Sequence, residues 1–375
     1  MVRLRSLGLA SKGRLETGTA TREPCVVVGI PVRNEAERVG SCLLALAAQT
    51  RLPYAVVLLL NNCTDQTEAV ARSLAPQLPY LLEIRCRHLP LATAHAGEAR
   101  RLAMQYAADR GGPHSVLMTT DGDGVVAHHW VERNLSAIAA GADLVCGKAA
   151  IDPVEAAVIP ANLHADDALE CELVELLDRI VERLDPDPAD PWPRHTEASG
   201  ASLAVRAAAF GRVGGIPAVA VGEDRAFVAA LRRMDARIRH DPTILVTVSG
   251  RIEGRAKGGM ADTIRRRIRQ QDEFTDASIE PAIDAYRRVD FRKRLRHAWQ
   301  RMPDETLSAD LGIPFLTLER MLEEQFFGSA WAIVEAQSPF LIRRRVRFSE
   351  LRRQIGYSRK LLEQVSPAEA AAHEA

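Results

Sequence analysis

Along this chain, apolar runs alternate with stretches whose apolar positions recur at helical spacing. VVVGI at 26 to 30 reads as a strand, and Val39, Cys42, Leu43 and Leu46 mark one face of a following helix. AVVLLL at 55 to 60 is a second strand; it ends in NNCTDQT, where Thr64 or Asp65 is placed to cap the next helix. LLEIR at 81 to 85 gives a third strand, followed by a helical stretch from Gly97 to Asp109 and then by SVLMTTDGDG. Strands alternating with helices predict an α/β fold with a doubly wound, mostly parallel sheet. In such sheets ligands sit beyond the carboxyl ends of the strands. The polar clusters PVRNE, NNCTD and TTDGDG each follow a strand, so one crevice is expected to collect all three.

Residues 166 to 184 pattern as an amphipathic helix with a solvated acidic face, and the proline-rich stretch 185 to 195 as a loop bordering the site. From about residue 262 the chain becomes helical and rich in arginine, with clusters at Arg265 to Arg269, Arg292 to Arg296 and Arg343 to Arg347. Solvated helix faces are the ordinary reading of such clusters; contact with anionic lipid, or pairing of two chains through these helices, are the others. The segmentation expected is a disordered tail over 1 to 24, a sheet-centred domain over 25 to 258, a helical region over 259 to 365 and a frayed end over 366 to 375.

Composition narrows this picture. With 375 residues and 47% hydrophobic content, the chain can bury a full-sized core. Its 49 basic and 49 acidic side chains cancel, so no global field recruits nucleic acid. The six cysteines show no C-x-x-C pair and read as reduced thiols. The basic start MVRLRSLGLASKGR lacks the apolar core of a secretory signal, and no apolar run approaches the roughly 20 residues of a membrane span. These features predict a cytoplasmic protein.

Two acidic pairs stand out as chemistry. Asp121 and Asp123 flank a glycine directly after an apolar strand, and two such anions call for a cation. Magnesium or manganese, held by one or two carboxylates and by substrate phosphates, suits that arrangement. Glu223 and Asp224 follow GGIPAVAVG at the start of an amphipathic helix. SGASLAV at 199 to 205 offers Gly200 for close approach by an acceptor or a donor sugar. Trp192 and His195 on the proline-rich loop are candidates to stack on a sugar ring and to bind a hydroxyl. His240 is a candidate to complete a metal shell, but a surface position after a helix is the reading preferred for it. Ser249, Arg251, Arg255 and the glycines at 254, 258 and 259 form a basic, glycine-rich stretch suited to fold over a diphosphate.

Together, VVVGIPVRNE at 26 to 35, residues 61 to 67, GEARRLAM at 97 to 104, residues 119 to 124 and GEDRA at 222 to 226 resemble glycosyltransferase family 2 in order and spacing. The resemblance covers roughly residues 25 to 255. It implies a GT-A fold, a nucleotide-diphospho-sugar transferase domain whose first half binds the sugar nucleotide and whose second half shapes the acceptor site. By resemblance Pro31, Arg33, Glu35 and Asp121 line the donor pocket, Arg100 approaches the base or the phosphates, and Asp123 is the best metal ligand. Asn61 departs from the family, where an aspartate commonly receives a hydrogen bond from the base; an amide both donates and accepts. The resemblance makes Asp224 the base that removes the acceptor proton in an inverting transfer, with Glu223 orienting the acceptor. The acceptor itself, whether small molecule, glycan or lipid-linked, is not specified.

Two other readings share the architecture. A nucleotidyltransferase making sugar nucleotides would need a glycine-rich phosphate loop near the first strand, and GIPVRNE offers one glycine. A sugar-nucleotide-binding protein without activity is disfavoured by the two intact acidic pairs. A P-loop enzyme is disfavoured, because G-x-x-x-x-G-K-[ST] does not occur.

Overall fold

The computed structural model describes residues 24–254, 259–270, 272–301 and 303–365. Eight strands form one sheet: β1 (Val26–Val32), β2 (Ala55–Asn61), β3 (Leu81–Arg87), β4 (Val116–Thr119), β5 (Val125–Val126), β6 (Leu144–Ile151), β7 (Leu203–Arg206) and β8 (Ile238–Val248), in the order β3-β2-β1-β4-β7-β6-β8-β5. β3, β2, β1 and β4 run parallel, as do β6 and β8. β7 is antiparallel to both its neighbours, and β5 is antiparallel to β8. The sheet is therefore mixed and mostly parallel, as the alternation of apolar runs predicts. β1 and β2 are almost wholly buried and rich in Val, Leu and Ile because helices cover both faces of the sheet. Edge strand β3 instead carries charge, with Glu83 holding Arg85 and Arg110, which discourages pairing with another chain.

One face of the sheet packs on the helices Val39–Ala47 and Trp130–Ala139. The other packs on Ala96–Gly111, Ala207–Arg212 and Glu223–Arg233. Trp130 is fully buried in the first core, where its indole donates to Ser202 Oγ at 2.8 Å. The helix expected after β2 spans Thr67–Leu74, and Gln66, not Asp65, holds its N-cap position. Asp65 nonetheless accepts from Thr67 N at 3.0 Å and from Ala36 N at 3.1 Å, tying the loop after β2 to the loop after β1.

The long helix Ala161–Leu184 leaves the sheet between β6 and β7 and packs against the carboxy-terminal helices Ala282–Ala298 and Leu351–Gln364. Leu173 shares a core with Ile279, Val346, Leu351 and Ile355. The expectation of a wholly solvated acidic face on this helix is corrected here. Glu170 and Asp178 are buried, the first paired with Arg267 at 3.0 Å and the second with Arg194 at 2.8 Å.

The arginine clusters follow the same rule and are not simple solvated faces. Arg292 and Arg296 pair with buried Asp185, Arg288 and Arg343 with buried Glu280, and Arg344 with Asp284. Their charges knit the helical region together internally. Among the described residues no helix is long and apolar enough to cross a membrane. The tails expected before Pro24 and after Val365, together with Arg255 and Gly258, lie outside the described residues.

Candidate active site

Arg100 is the hub of the site. It sits on the helix Ala96–Gly111, which leans on β1 and β4, and its side chain is 6% exposed. Its Nε donates to Glu223 Oε1 at 2.9 Å and its Nη2 to Asp121 Oδ1 at 2.6 Å. Its Nη1 donates to Thr119 Oγ1 at 3.0 Å and to the carbonyl of Gly200 at 2.7 Å. One guanidinium thus joins the first acidic pair, at the end of β4, to the second, at the start of Glu223–Arg233. Burial opposes its charge, but Asp121 and Glu223 outweigh that and raise its pKa. Gly200 leaves room for this arrangement: a Cβ there would lie 2.4 Å from the guanidinium carbon of Arg100.

Asp224 lies beside this hub. Its Oδ2 accepts from Gly200 N at 2.9 Å and its Oδ1 from the amide of Arg225 at 2.7 Å. Both bonds fix the carboxylate while each oxygen keeps a lone pair free.

On the other side stands a second hub that the sequence left unjoined. Arg251, in the segment after β8, makes a bidentate pair with buried Glu35 at 2.7 and 2.5 Å and reaches Asp123 Oδ2 at 3.2 Å. Glu155 fixes this segment, accepting from Ser249 Oγ at 2.8 Å and Gly250 N at 2.6 Å while pairing with Arg38. The Asp123 carboxyl is pushed up to about 6 by burial and by the charges of Asp121 and Glu35, against the pull of Arg251. Four carboxylates, Glu35, Asp121, Asp123 and Glu223, face two guanidiniums here. Asp224 adds a further carboxylate beside them, so negative charge is in excess, which suits a cation. Among the described residues no three His, Cys, Asp or Glu side chains converge as metal ligands, so such an ion needs the oxygens of a bound phosphate to complete its shell.

The expected donor-pocket residues cluster at the strand ends. Pro31 lies in β1, half-buried, and Arg33 donates to the carbonyl of Ala94 at 3.1 Å. Asn61 closes β2 and is 2% exposed, and its Oδ1 is buried without a hydrogen-bond partner. Such an orphan is costly unless a ligand or water satisfies it. Asn34 and Asn62, both at positive φ, bond across to Thr64 and Leu89, which ties the loops after β1, β2 and β3 into one wall.

Among the described residues, no hydrogen bond, ion pair or ring contact joins Trp192 or His195 to this cluster. The guanidinium of Arg179 covers the Trp192 ring at 4.3 Å, and Arg194 anchors the loop to the helix Ala161–Leu184. His195 Nδ1 accepts from Glu197 N, and its Nε2 is buried and unpartnered. Burial, with His240 and Lys148 nearby, lowers its pKa to about 4, so the ring is neutral. The surface position expected for His240 is corrected: the ring is 3% exposed in β8, its Nδ1 is 2.7 Å from Asp190, and it meets the His195 ring edge-on at 5.6 Å. A strand position with the pattern of IRHDP gives no sign that the partner is an aspartate fifty residues earlier.

Residues 27–191 match the family model described as Glycosyl transferase family 2. Glycosyltransferase AglE of Haloferax volcanii is 31% identical over 129 residues, covering 33% of this chain and 39% of that protein. The match thus spans about two fifths of the length of that curated relative. S. aureus TarS 1-349 in complex with UDP is similar at 16% identity and a TM-score of 0.44, covering 90% of each chain. Mannosyltransferase PcManGT from Pyrobaculum calidifontis, in complex with GDP-Man and Mn2+, is similar at 16% identity and a TM-score of 0.41, covering 94% of this chain and 80% of that one. Glucosyl-3-phosphoglycerate synthase from Mycobacterium tuberculosis, in complex with Mn2+, UDP and phosphoglyceric acid, is similar at 14% identity and a TM-score of 0.40, covering 66% and 78%.

Proposed function

We propose that the protein transfers a sugar from a nucleoside diphosphate sugar to an acceptor hydroxyl, with inversion at the anomeric carbon. The observation that carries this reading is the guanidinium of Arg100, which binds Asp121 and Glu223 at once and so makes one site of two acidic pairs. The family 2 match over the first half of the site supports it. Asp123, with Asp121 beside it, would hold Mn2+ or Mg2+. When bound, the ion supplies positive charge where the diphosphate leaves.

The remaining roles belong to the chain. Asp224, fixed by the amides of Gly200 and Arg225, takes the acceptor proton as the oxygen attacks the anomeric carbon and the bond to the diphosphate breaks. Glu223 faces Arg100, not the open crevice, so it acts as a positioning residue that fixes the hub and the helix start carrying Asp224. The orphan end of Asn61 meets the base, and Arg33 and Pro31 border it.

The test is a thermal-shift series with UDP, GDP and their sugar conjugates, with and without Mn2+, since a bound ligand stabilises by an amount that grows with the logarithm of its free concentration relative to its dissociation constant. A manganese-dependent rise in Tm with one base supports the donor site and names its carrier. No shift with any donor overturns it in favour of a protein that does not bind sugar nucleotides.

A further inference from the structure

We propose that Arg251 is an exchangeable counter-ion: without metal it occupies Asp123, a carboxylate that the metal would use, and once metal and donor are bound it moves to the donor's diphosphate. This rests on the donor-site reading above and adds to it a role for a residue outside the acidic pairs.

Three observations carry it. First, Arg251 is anchored where a cation is needed. Its fork closes on Glu35 through two hydrogen bonds and touches Asp123 at 3.2 Å, while the other arginine of the site, Arg100, is committed to Asp121, Glu223, Thr119 and Gly200. Without Arg251, Glu35 and Asp123 would face each other half-dry with no positive partner, a costly arrangement. Second, the contacts are graded. The Glu35 pair is tight and bidentate, whereas the Asp123 contact is a single longer one. Asp123 is thus the easier of the two to surrender. Third, the placement of Arg251 allows a short excursion. Its backbone follows Ser249 and Gly250, which Glu155 holds, and its side chain is 21% exposed, so the guanidinium is partly open to solvent. A rotation of the side chain about an anchored backbone is enough to trade an Asp123 oxygen for a phosphate oxygen, and a planar fork suits either.

The exchange gives the site an order. A divalent ion alone must compete with a guanidinium for Asp123, so it binds weakly. Metal arriving with a nucleoside diphosphate brings new anionic partners for the displaced arginine, so the two bind together. The energetic link is reciprocal, because each ligand tightens the other by the same factor.

The test compares wild type with Arg251→Gln and Arg251→Lys. Mn2+ binding to the nucleotide-free protein is measured by the electron paramagnetic resonance signal of free Mn2+, and UDP and GDP binding at saturating Mn2+ by calorimetry. Arg251→Gln is expected to bind Mn2+ alone about tenfold more tightly, because a repelling charge and a competitor are both removed. The same variant is expected to bind the nucleoside diphosphate at saturating Mn2+ about tenfold more weakly, and Arg251→Lys to fall between it and wild type in both. This opposite movement of two affinities is what a merely structural arginine would not produce. If Arg251→Gln melts well below wild type, Arg251→Lys carries the comparison. Unchanged Mn2+ affinity, or both affinities falling together, overturns the exchange and leaves the donor site standing. A wild-type protein that binds no Mn2+ with or without UDP or GDP overturns the donor-site reading, and the exchange with it.

Discussion

Asp224 and Glu223 are neighbours in sequence, yet they face different partners. Glu223 is 6% exposed against Arg100, and Asp224 is held by the amides of Gly200 and Arg225. Replacing Asp224 by Asn keeps an oxygen for Gly200 N and removes the capacity to take a proton. Donor binding is expected to survive and transfer to fall about 10² to 10⁴-fold, measured by calorimetry with the donor and by turnover with an identified acceptor. Gly200→Ala tests the hub from the other side. A methyl 2.4 Å from the Arg100 guanidinium carbon forces the arginine from its carboxylates, and a loss of about 3 kcal/mol in chemical denaturation is expected. His195 supplies a pH signature. Its folded pKa near 4 lies below the value of about 6.5 in an unfolded chain. Between these values the unfolded state binds a proton that the folded state refuses, so stability is full above about pH 6.5 and declines as pH falls toward 4, by on the order of 2 kcal/mol. His240, Lys148 and Asp190 face the ring and shape that shift. In His195→Gln this part of the decline should vanish; an unchanged difference between Tm at pH 7 and pH 5 would count against the assignment.

At the scale of elements, the helix Glu223–Arg233 is braced from behind by the helix Phe327–Gln337. Asp235, at positive φ just past the first helix, accepts from the amides of Phe327 and Gly328 at 2.7 Å each and so caps the second. Gly328 permits the contact, since a Cβ there would lie 1.9 Å from the carbonyl oxygen of Arg232. Asp235→Ala is expected to cost about 1 kcal/mol, seen as a lower midpoint in urea. The strands and first helices were legible in the sequence because parallel strands buried on both faces are unbroken apolar runs, and β1 and β2 could hardly be anything else. The two acidic pairs were legible too, because each sits where a strand ends or a helix begins. What periodicity does not encode is partnership across long separations. The pairs Arg251 with Glu35, Arg100 with Glu223 and His240 with Asp190 are 216, 123 and 50 residues apart. A carboxylate on the outer face of a helical pattern, such as Glu170, looks solvated until its arginine is found 97 residues on.

In the whole molecule, the helix Ala161–Leu184 joins two parts of the chain: it arises between two strands of the sheet yet buries Leu173 in the core shared with Ile279, Val346, Leu351 and Ile355. The neutral overall charge conceals dense internal pairing, with arginine after arginine of the last hundred residues facing a carboxylate of the same chain. A chain ended at residue 258 would leave Leu173, Glu170 and Asp185 uncovered at once. Such a fragment is expected to bind a hydrophobic dye and to lose its cooperative melting transition; a sharp melt at the wild-type Tm would show that the sheet domain stands by itself. The carboxylate of Asp235 gives this dependence a practical edge. Because the brace behind the helix Glu223–Arg233 is seated on that one side chain and on a glycine that lets two helices touch, grafting the carboxy-terminal region of a similar protein onto this one is not a neutral exchange of cassettes. Asp235 and Gly328 would have to travel as a pair, or the transplanted lobe would tilt the helix that carries Asp224.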